Sequence, residues 1–261
     1  MSKHDTILIY DGTFEGMLCC IFAVFEQKLI VSNIYTEVNV QRNIFSNPSE
    51  IITEPHKAGR VKKGLINSLG APGYRQLYFA FLSEIPGMEI KILEYAQLAF
   101  TKKGFSPKDY GEPVILWIAK TAKQVSREKH RMEAFVRFKL TADKIYFSQI
   151  EPDFNVLPLI LKHFESRYAD QKWLIFDKRR NYGIYYDLQN TNFITFENYQ
   201  IDNNNEVNES IFDVEEIEFE DLWKNYFNST NIKSRKNMKL HIKHVPKRYW
   251  KYLSEKKPLD K

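Results

Sequence analysis

Two short stretches hold the side chains best suited to acid–base or anion chemistry. In Arg127-Glu128-Lys129-His130-Arg131, charge is packed into adjacent positions. On a helix, Arg127 and Arg131 share a face at i, i+4, and Glu128 can pair with Arg131 at i, i+3. Such a cluster either binds a phosphate or holds the end of a helix. His130 titrates near neutrality and is the natural acid or base of the group. In Asp177-Lys178-Arg179-Arg180 a carboxylate stands beside two arginines, which makes either a salt-bridged turn or an anion contact through Arg179 and Arg180. Asp153 follows Glu151-Pro152 shortly before a helical stretch, with structural pairing as its plainer role. Glu128, His130, Asp153 and Asp177 are thus the candidate catalytic groups, as acid, base or metal ligands, and Arg127 with Arg131 form the anion or structural cluster.

A third stretch is suited to binding. Between Lys233 and Lys257 there are ten Lys or Arg residues against one acid, Glu255, whereas Glu206 to Asp221 holds eight acids and no base. Basic side chains alternate there with Met238, Leu240, Ile242, Val245, Tyr249, Trp250 and Tyr252, offering phosphate partners beside apolar or stacking surfaces. Lys233, Arg235, Lys236, Lys239, Lys247 and Arg248 join Arg179 and Arg180 as the expected nucleic-acid contacts. The same pattern also describes a solvated basic face in which Trp250 and Leu253 dock the arm onto the body.

The strong enzyme signatures are missing from the sequence. It contains no phosphate-binding loop, dinucleotide-binding glycine pattern, HExxH motif or GxSxG elbow. His241 and His244 have no carboxylate or thiol close in sequence to complete a metal site, so neither a metal nor a cofactor is expected. Cys19 and Cys20 are adjacent, which suits small buried hydrophobes better than a disulfide. The net charge of +5 and pI near 8.9 are only mildly basic, so the distribution of charge says more than its total. With 43% apolar residues, no run long enough to span a bilayer and no signal-peptide pattern at the start, a folded cytoplasmic protein without a membrane partner is expected.

These residues need elements to position them. Thr6 to Tyr10 reads as a strand, Asp11-Gly12 as a turn and Thr13 as a helix N-cap. Phe14, Met17, Leu18, Ile21, Phe22 and Phe25 then mark one face of a helix that must be buried. Residues 55–103 read as three helices broken at Gly70-Ala71-Pro72-Gly73 and Pro86-Gly87. A further helix begins after Gly111-Glu112-Pro113 and runs to about Arg131, with Val114, Trp117, Ile118, Thr121 and Val125 inward. The period then changes: Ala134–Leu140 and Lys144–Ile150 form a hairpin, Asn155–Tyr168 a helix, and Lys172–Asp177 and Tyr182–Asp187 two more strands. Asn190–Asn208 reads as a surface connection, and Phe219, Leu222, Trp223, Tyr226 and Phe227 as an amphipathic helix ahead of the basic arm.

The fold class is therefore α+β: a mostly helical N-terminal layer, a β-β-α-β-β unit with a mostly antiparallel sheet, and a helical basic C-terminal arm. The expected divisions are residues 1–131, 132–200 and 201–261 within one compact unit.

Five segments in order, IYDGTFEGMLCCIFAVFE, HKAGRVKKGL, SREKHRMEAFVRF, IEPDFNVLPLILKHFESRYADQKWLIFDKRR and LWKNYFNSTNIKSRKNMKLHIKHVPKRYWKYLSE, resemble a bacterial family assigned to DNA repair or DNA metabolism. That family contains a domain of unknown function, also found N-terminal to uracil-DNA glycosylase-like domains. It is associated with a radical-SAM protein of DNA repair. The resemblance implies an accessory protein that binds nucleic acid, DNA above all, and works beside a radical-SAM partner. It supplies no catalytic mechanism for Asp11, Glu15, His130 or Arg131. No glycosylase domain is expected after Trp250, and the two cysteines cannot make the triad of an iron–sulfur cluster, so that chemistry is expected of a partner or not at all. The competing expectations are a nuclease or base-processing enzyme using Glu128, His130, Asp153 and Asp177, and a protein-interaction subunit with no DNA affinity of its own.

Overall fold

The computed structural model describes residues 6–37, 48–195, 242 and 245–253. The chain divides into two compact units, Met1–Ser126 and Arg127–Lys261. Both mix helices and strands, as the α+β reading requires.

In the first unit, β1 (Thr6–Tyr10) runs into Asp11-Gly12-Thr13 and then α1 (Phe14–Gln27). Thr13 caps the helix: its Oγ1 accepts the Gly16 N–H at 2.9 Å. Asp11 braces the same turn, taking the Thr13 N–H at 2.9 Å, the Thr13 hydroxyl at 2.7 Å and the Thr53 hydroxyl at 2.8 Å. Phe14, Met17, Leu18 and Ile21 are buried as their spacing predicts, and Cys19 and Cys20 lie in the same core as free thiols. Phe25 departs from the prediction, with 40% of its surface exposed. Eleven residues bring Phe25 back to within about 20° of Phe14 round the helix, so its exposure comes from its place in the last turn of α1, where the covering core ends, and not from a change of face.

The N-terminal layer is less purely helical than its sequence reads. β2 (Val31–Thr36) and β3 (Pro48–Glu50) flank β1 in a three-stranded parallel sheet, order β2-β1-β3. Neither strand shows the apolar alternation that would announce it: β3 is Pro-Ser-Glu, held by backbone pairing on an edge where proline is tolerated. α2 (Pro55–Phe81) combines the first two predicted helices, kinked at Gly70, whose φ of 69° and ψ of 165° only glycine adopts readily. α3 (Met88–Thr101) follows the Pro86-Gly87 break as expected.

α4 (Pro113–Phe135) buries Ile115, Ile118, Ala122, Val125, Glu128 and Met132 at helical spacing. Thr121 is also buried, whereas Val114 and Trp117 are only half-buried. The helix continues past the predicted end at Arg131, because Met132 extends its inward stripe and Phe135 packs against Tyr249 with ring centroids 5.7 Å apart. Burial outweighs the β preference of Phe135 and Val136, and the predicted strand Ala134–Leu140 shrinks to β4 (Lys139–Leu140).

The second unit carries a five-stranded sheet, order β4-β5-β6-β7-β8. β5 (Tyr146–Ile150) pairs antiparallel with β4, and β6 (Trp173–Asp177), β7 (Tyr182–Tyr186) and β8 (Thr191–Thr195) form an antiparallel meander. Only β5 and β6 run parallel, because α5 (Leu157–Arg167) carries the chain back between them. Leu157, Ile160 and Phe164 of α5 are buried together with Trp173, Ile175 and Ile184 of the sheet. β8 is an addition to the predicted β-β-α-β-β unit. Its Phe193 is 57% exposed, so burial gave the sequence no mark there.

Of the arm, a 3-10 helix at Lys247–Tyr252 is described. Lys233, Arg235, Lys236, Lys239, His241 and His244, together with the acidic run and the helix predicted around Trp223, lie outside the described residues. Among the described residues, no helix is long and apolar enough to cross a membrane.

Candidate functional site

Helical periodicity places Glu128 on the inward stripe of α4, one turn after Val125, so a carboxylate that would ordinarily seek water is only 2% exposed. A buried carboxylate needs donors. Glu128 Oε1 accepts the Tyr249 hydroxyl at 2.5 Å and the Asp153 N–H at 2.9 Å, and Oε2 lies 3.2 Å from Arg248 Nη2 and 3.7 Å from Arg131 Nη1. The i, i+3 pair expected with Arg131 is therefore the longest of these contacts, and the closest partner is 121 residues away. Arg127 is exposed on the same helix.

The parallel register of β5 and β6 brings the other two carboxylates together. Ile150 sits opposite Asp177, so the bend Glu151-Pro152-Asp153 and the turn after Asp177 leave the same end of the sheet. Asp177 is fully buried. Its Oδ1 accepts the N–H groups of Arg179 at 2.9 Å and Arg180 at 3.3 Å, and its Oδ2 accepts Arg180 Nη1 at 2.8 Å. Arg180 then reaches across to the carbonyls of Pro152 at 3.2 Å and Asp153 at 3.0 Å, while Arg179 donates to the Asp153 carbonyl at 3.2 Å. Burial pushes the Asp177 carboxyl above its ordinary value, and the Arg180 guanidinium and the two N–H groups oppose that rise.

The Lys247–Tyr252 turn closes the cluster. Arg248 bridges Glu128 and the Asp153 carboxylate, the latter at 2.5 Å, and its guanidinium lies 4.7 Å from the Tyr249 ring centre. Lys251 Nζ and the Tyr252 hydroxyl both donate to Glu151 Oε2 at 2.5 Å. Tyr249 and Leu253 are buried and Tyr249 bonds Glu128, so this part of the arm does dock, while the Trp250 indole N–H donates within the arm to the Val245 carbonyl at 3.0 Å. Lys247 is exposed.

Three predicted groups, Glu128, Asp153 and Asp177, thus meet, and Arg131, Arg179, Arg180 and Arg248 meet with them. His130 does not. It lies two positions from Glu128, on the outward side of α4, with its side chain 86% exposed and Nδ1 3.8 Å from Glu133. Glu128, Asp153 and Asp177 are each paired with a guanidinium and Glu151 with the Lys251 ammonium, an arrangement that clamps the turn to α4 and to the Glu151–Asp153 bend. Among the described residues, no three His, Cys, Asp or Glu side chains cluster as metal ligands would. Glu151, Tyr249 and Tyr252 escaped the sequence reading as members of this site. A lone Glu before a proline carries no signal, and the tyrosines read equally as stacking surface.

The Glu151 contacts have a pH consequence. Hydrogen bonds from Lys251 and then Tyr252 hold its carboxyl below the ordinary value of 4.5, against a smaller opposing effect of burial. A carboxyl depressed in the folded state contributes stability that is fully present above pH 4.5 and fades as pH falls through the folded value. The thermal midpoint of the wild type should exceed that of Glu151→Gln at pH 6, and the gap should narrow as the pH is lowered below 4.5. A gap that stays constant across that range would show that the Glu151 charge adds nothing.

Residues 86–255 match the model of a family described as a domain of unknown function, DUF4130. No curated protein matches the chain.

Proposed function

The chain belongs to the DUF4130 family, and from that premise we propose that it is an accessory protein of DNA repair or DNA metabolism that binds nucleic acid through its basic C-terminal arm. The observation that carries this reading is the concentration of ten basic residues against one acid from Lys233 to Lys257, directly after an acidic stretch. Phosphate neutralisation by such a segment releases counterions and gives salt-sensitive affinity. The docked turn adds a physical reason for dividing the arm's cations into two groups. Arg248 and Lys251 are tied to Glu128, Asp153 and Glu151, whereas Lys247 is exposed. Arg179 is exposed next to the cluster and has donors beyond its single bond to Asp153. The radical-SAM partner rests on the family resemblance.

Charge reversal at Lys233, Arg235, Lys236 and Lys239 tests the reading without disturbing the clamp, since Arg248 is spared. Fluorescence anisotropy on labelled single- and double-stranded DNA should show affinity falling about 100-fold or more at low salt. The slope of log affinity against log salt should become shallower by roughly 3–4. Wild-type protein that binds neither DNA at low salt, or a variant that binds as the wild type does, would sink the assignment. Co-purification with a radical-SAM protein that survives nuclease treatment, without any DNA affinity, would select the interaction-subunit reading.

The enzyme reading draws on one observation, the meeting of Glu128, Asp153 and Asp177. Their pairing with Arg131, Arg248 and Arg180 favours the clamp instead, because a general base or metal ligand needs a lone pair that faces substrate.

A further inference from the structure

Phe25 emerges from the core of the first unit beside a second exposed ring. Phe25 is 40% and Phe100 36% exposed, and the two rings meet edge to face with centroids 5.4 Å apart. They stand on the wall of a groove of about 400 Å³ lined by Phe22, Phe25 and Glu26 of α1, Arg60 and Val61 of α2, and Phe100 of α3. The groove exists because Gly64 lets Phe100 lie against α2. A Cβ at that position would come within 3.2 Å of the Phe100 ring.

Arg60 is the cation of the groove lining, and Lys57 stands beside it at the Phe22 ring. Lys57, Arg60 and Lys63 recur at i, i+3 along α2. The Arg60 guanidinium lies 5.1 Å and the Lys57 ammonium 5.6 Å from the Phe22 ring centre. Lys57 is already paired with Glu54 at 2.6 Å. Arg60 and Lys63 are exposed, and neither is paired with a carboxylate among the described residues. Glu26 is the one acid on the groove wall.

Exposed aromatic faces beside an unpaired cation match one class of ligand. A base offers a flat π-face to a phenylalanine whatever its sequence, and the attached phosphates need cations within a few ångströms of that face. A duplex hides its base faces in the stack, so only an unpaired strand presents them. An acidic peptide would satisfy Arg60 but would leave two phenylalanine rings in water unless it also carried apolar residues. We propose that this groove binds single-stranded nucleic acid, with Phe25 and Phe100 stacking on bases and Arg60 holding a flanking phosphate. The proposal rests on the nucleic-acid reading above and adds a second contact surface, specific for unpaired strands.

The full-length chain is titrated into a labelled 12-nucleotide deoxythymidine strand, a duplex of the same length, and a single strand containing 2-aminopurine. The double variant Phe25→Ala/Phe100→Ala should lose about 30-fold or more in affinity for the single strand, with duplex binding unchanged, and should lose the stacking quench of 2-aminopurine. Arg60→Glu should weaken single-strand binding and lower the salt slope by about 1. Arg60 is exposed, so this variant decides the question if the aromatic double variant fails to fold. If the wild type binds and arm charge reversal weakens it, but the groove variants bind the single strand as the wild type does, the groove proposal falls and the arm reading stands. Absence of any binding by the wild type overturns both. Displacement of the strand by a glutamate-rich peptide of equal charge, without any 2-aminopurine quench, would make the groove a peptide site and overturn the proposal.

Discussion

Replacing Glu128 with alanine is expected to cost about 3–5 kcal/mol of folding stability, the range for removing one partner of a buried charged network. The carboxylate is 2% exposed and gathers donors from the Tyr249 side chain, the Asp153 backbone and the Arg248 and Arg131 side chains. Tyr249 is also 2% exposed, so its hydroxyl would lose its acceptor away from water, as would the Asp153 N–H. Each such loss costs about 1–3 kcal/mol. Arg248 contributes less to this sum, because its side chain is 45% exposed and recovers water when the pair is broken. Glu128→Gln keeps an acceptor of the same shape and removes only the charge, so it should fall between the wild type and alanine. Urea unfolding of the three proteins provides the comparison. A loss under about 1 kcal/mol for alanine would mean that the turn at Lys247–Tyr252 is not held by this carboxylate. Because the turn carries Lys247 and lies within the arm, the same variant should also weaken DNA binding if the arm must be anchored to bind well.

What the sequence disclosed and what it hid separate by range of interaction. The N-cap at Thr13, the break at Gly70 and the helix face of Met17, Leu18 and Ile21 are local patterns, and each is present. β2, β3 and β8 exist through pairing with β1 and β7, and their own residues carry little apolar alternation. The site follows the same division. Asp177 with Arg180 lies three residues apart and was legible as a salt-bridged turn, one of the two roles the sequence left open. Glu128 was legible as a charged helix residue, yet its burial depends on an inward stripe that runs on to Met132, where β-prone residues suggested the helix had stopped. Tyr249 and Arg248 are more than 100 residues from Glu128, so no spacing rule could join them. The exposure of Phe25 was hidden for the opposite reason: an extra apolar residue on a helical stripe reads as core until neighbouring helices show where the core ends.

Asp177→Ala is the second change with a large expected effect, again about 3–5 kcal/mol, because it removes a fully buried carboxylate that accepts three hydrogen bonds, one of them from the Arg180 guanidinium. Arg180 is 9% exposed, and the substitution takes away its contact with the Asp177 carboxylate while leaving its bonds to the Pro152 and Asp153 carbonyls. The turn would also lose the acceptor for the Arg179 and Arg180 N–H groups, just ahead of Asn181, whose φ of 55° already needs support from the N–H bond to the Asp177 carbonyl at 2.9 Å. Removing the arginine as well should restore part of the loss: Asp177→Ala/Arg180→Met is expected to be more stable than Asp177→Ala alone, since the charge that Asp177 balanced is removed with it. A double variant less stable than the single one would mean that Arg180 holds the Glu151–Asp153 bend mainly through the two carbonyls. Arg180→Met also separates holding from contacting. If Arg180 serves the clamp and Arg179 meets phosphate, Arg180→Met leaves the salt slope of DNA binding unchanged while Arg179→Glu lowers it by about 1. Equal slopes for both variants would return Arg180 to the binding surface and show that its internal bonds are exchangeable with phosphate.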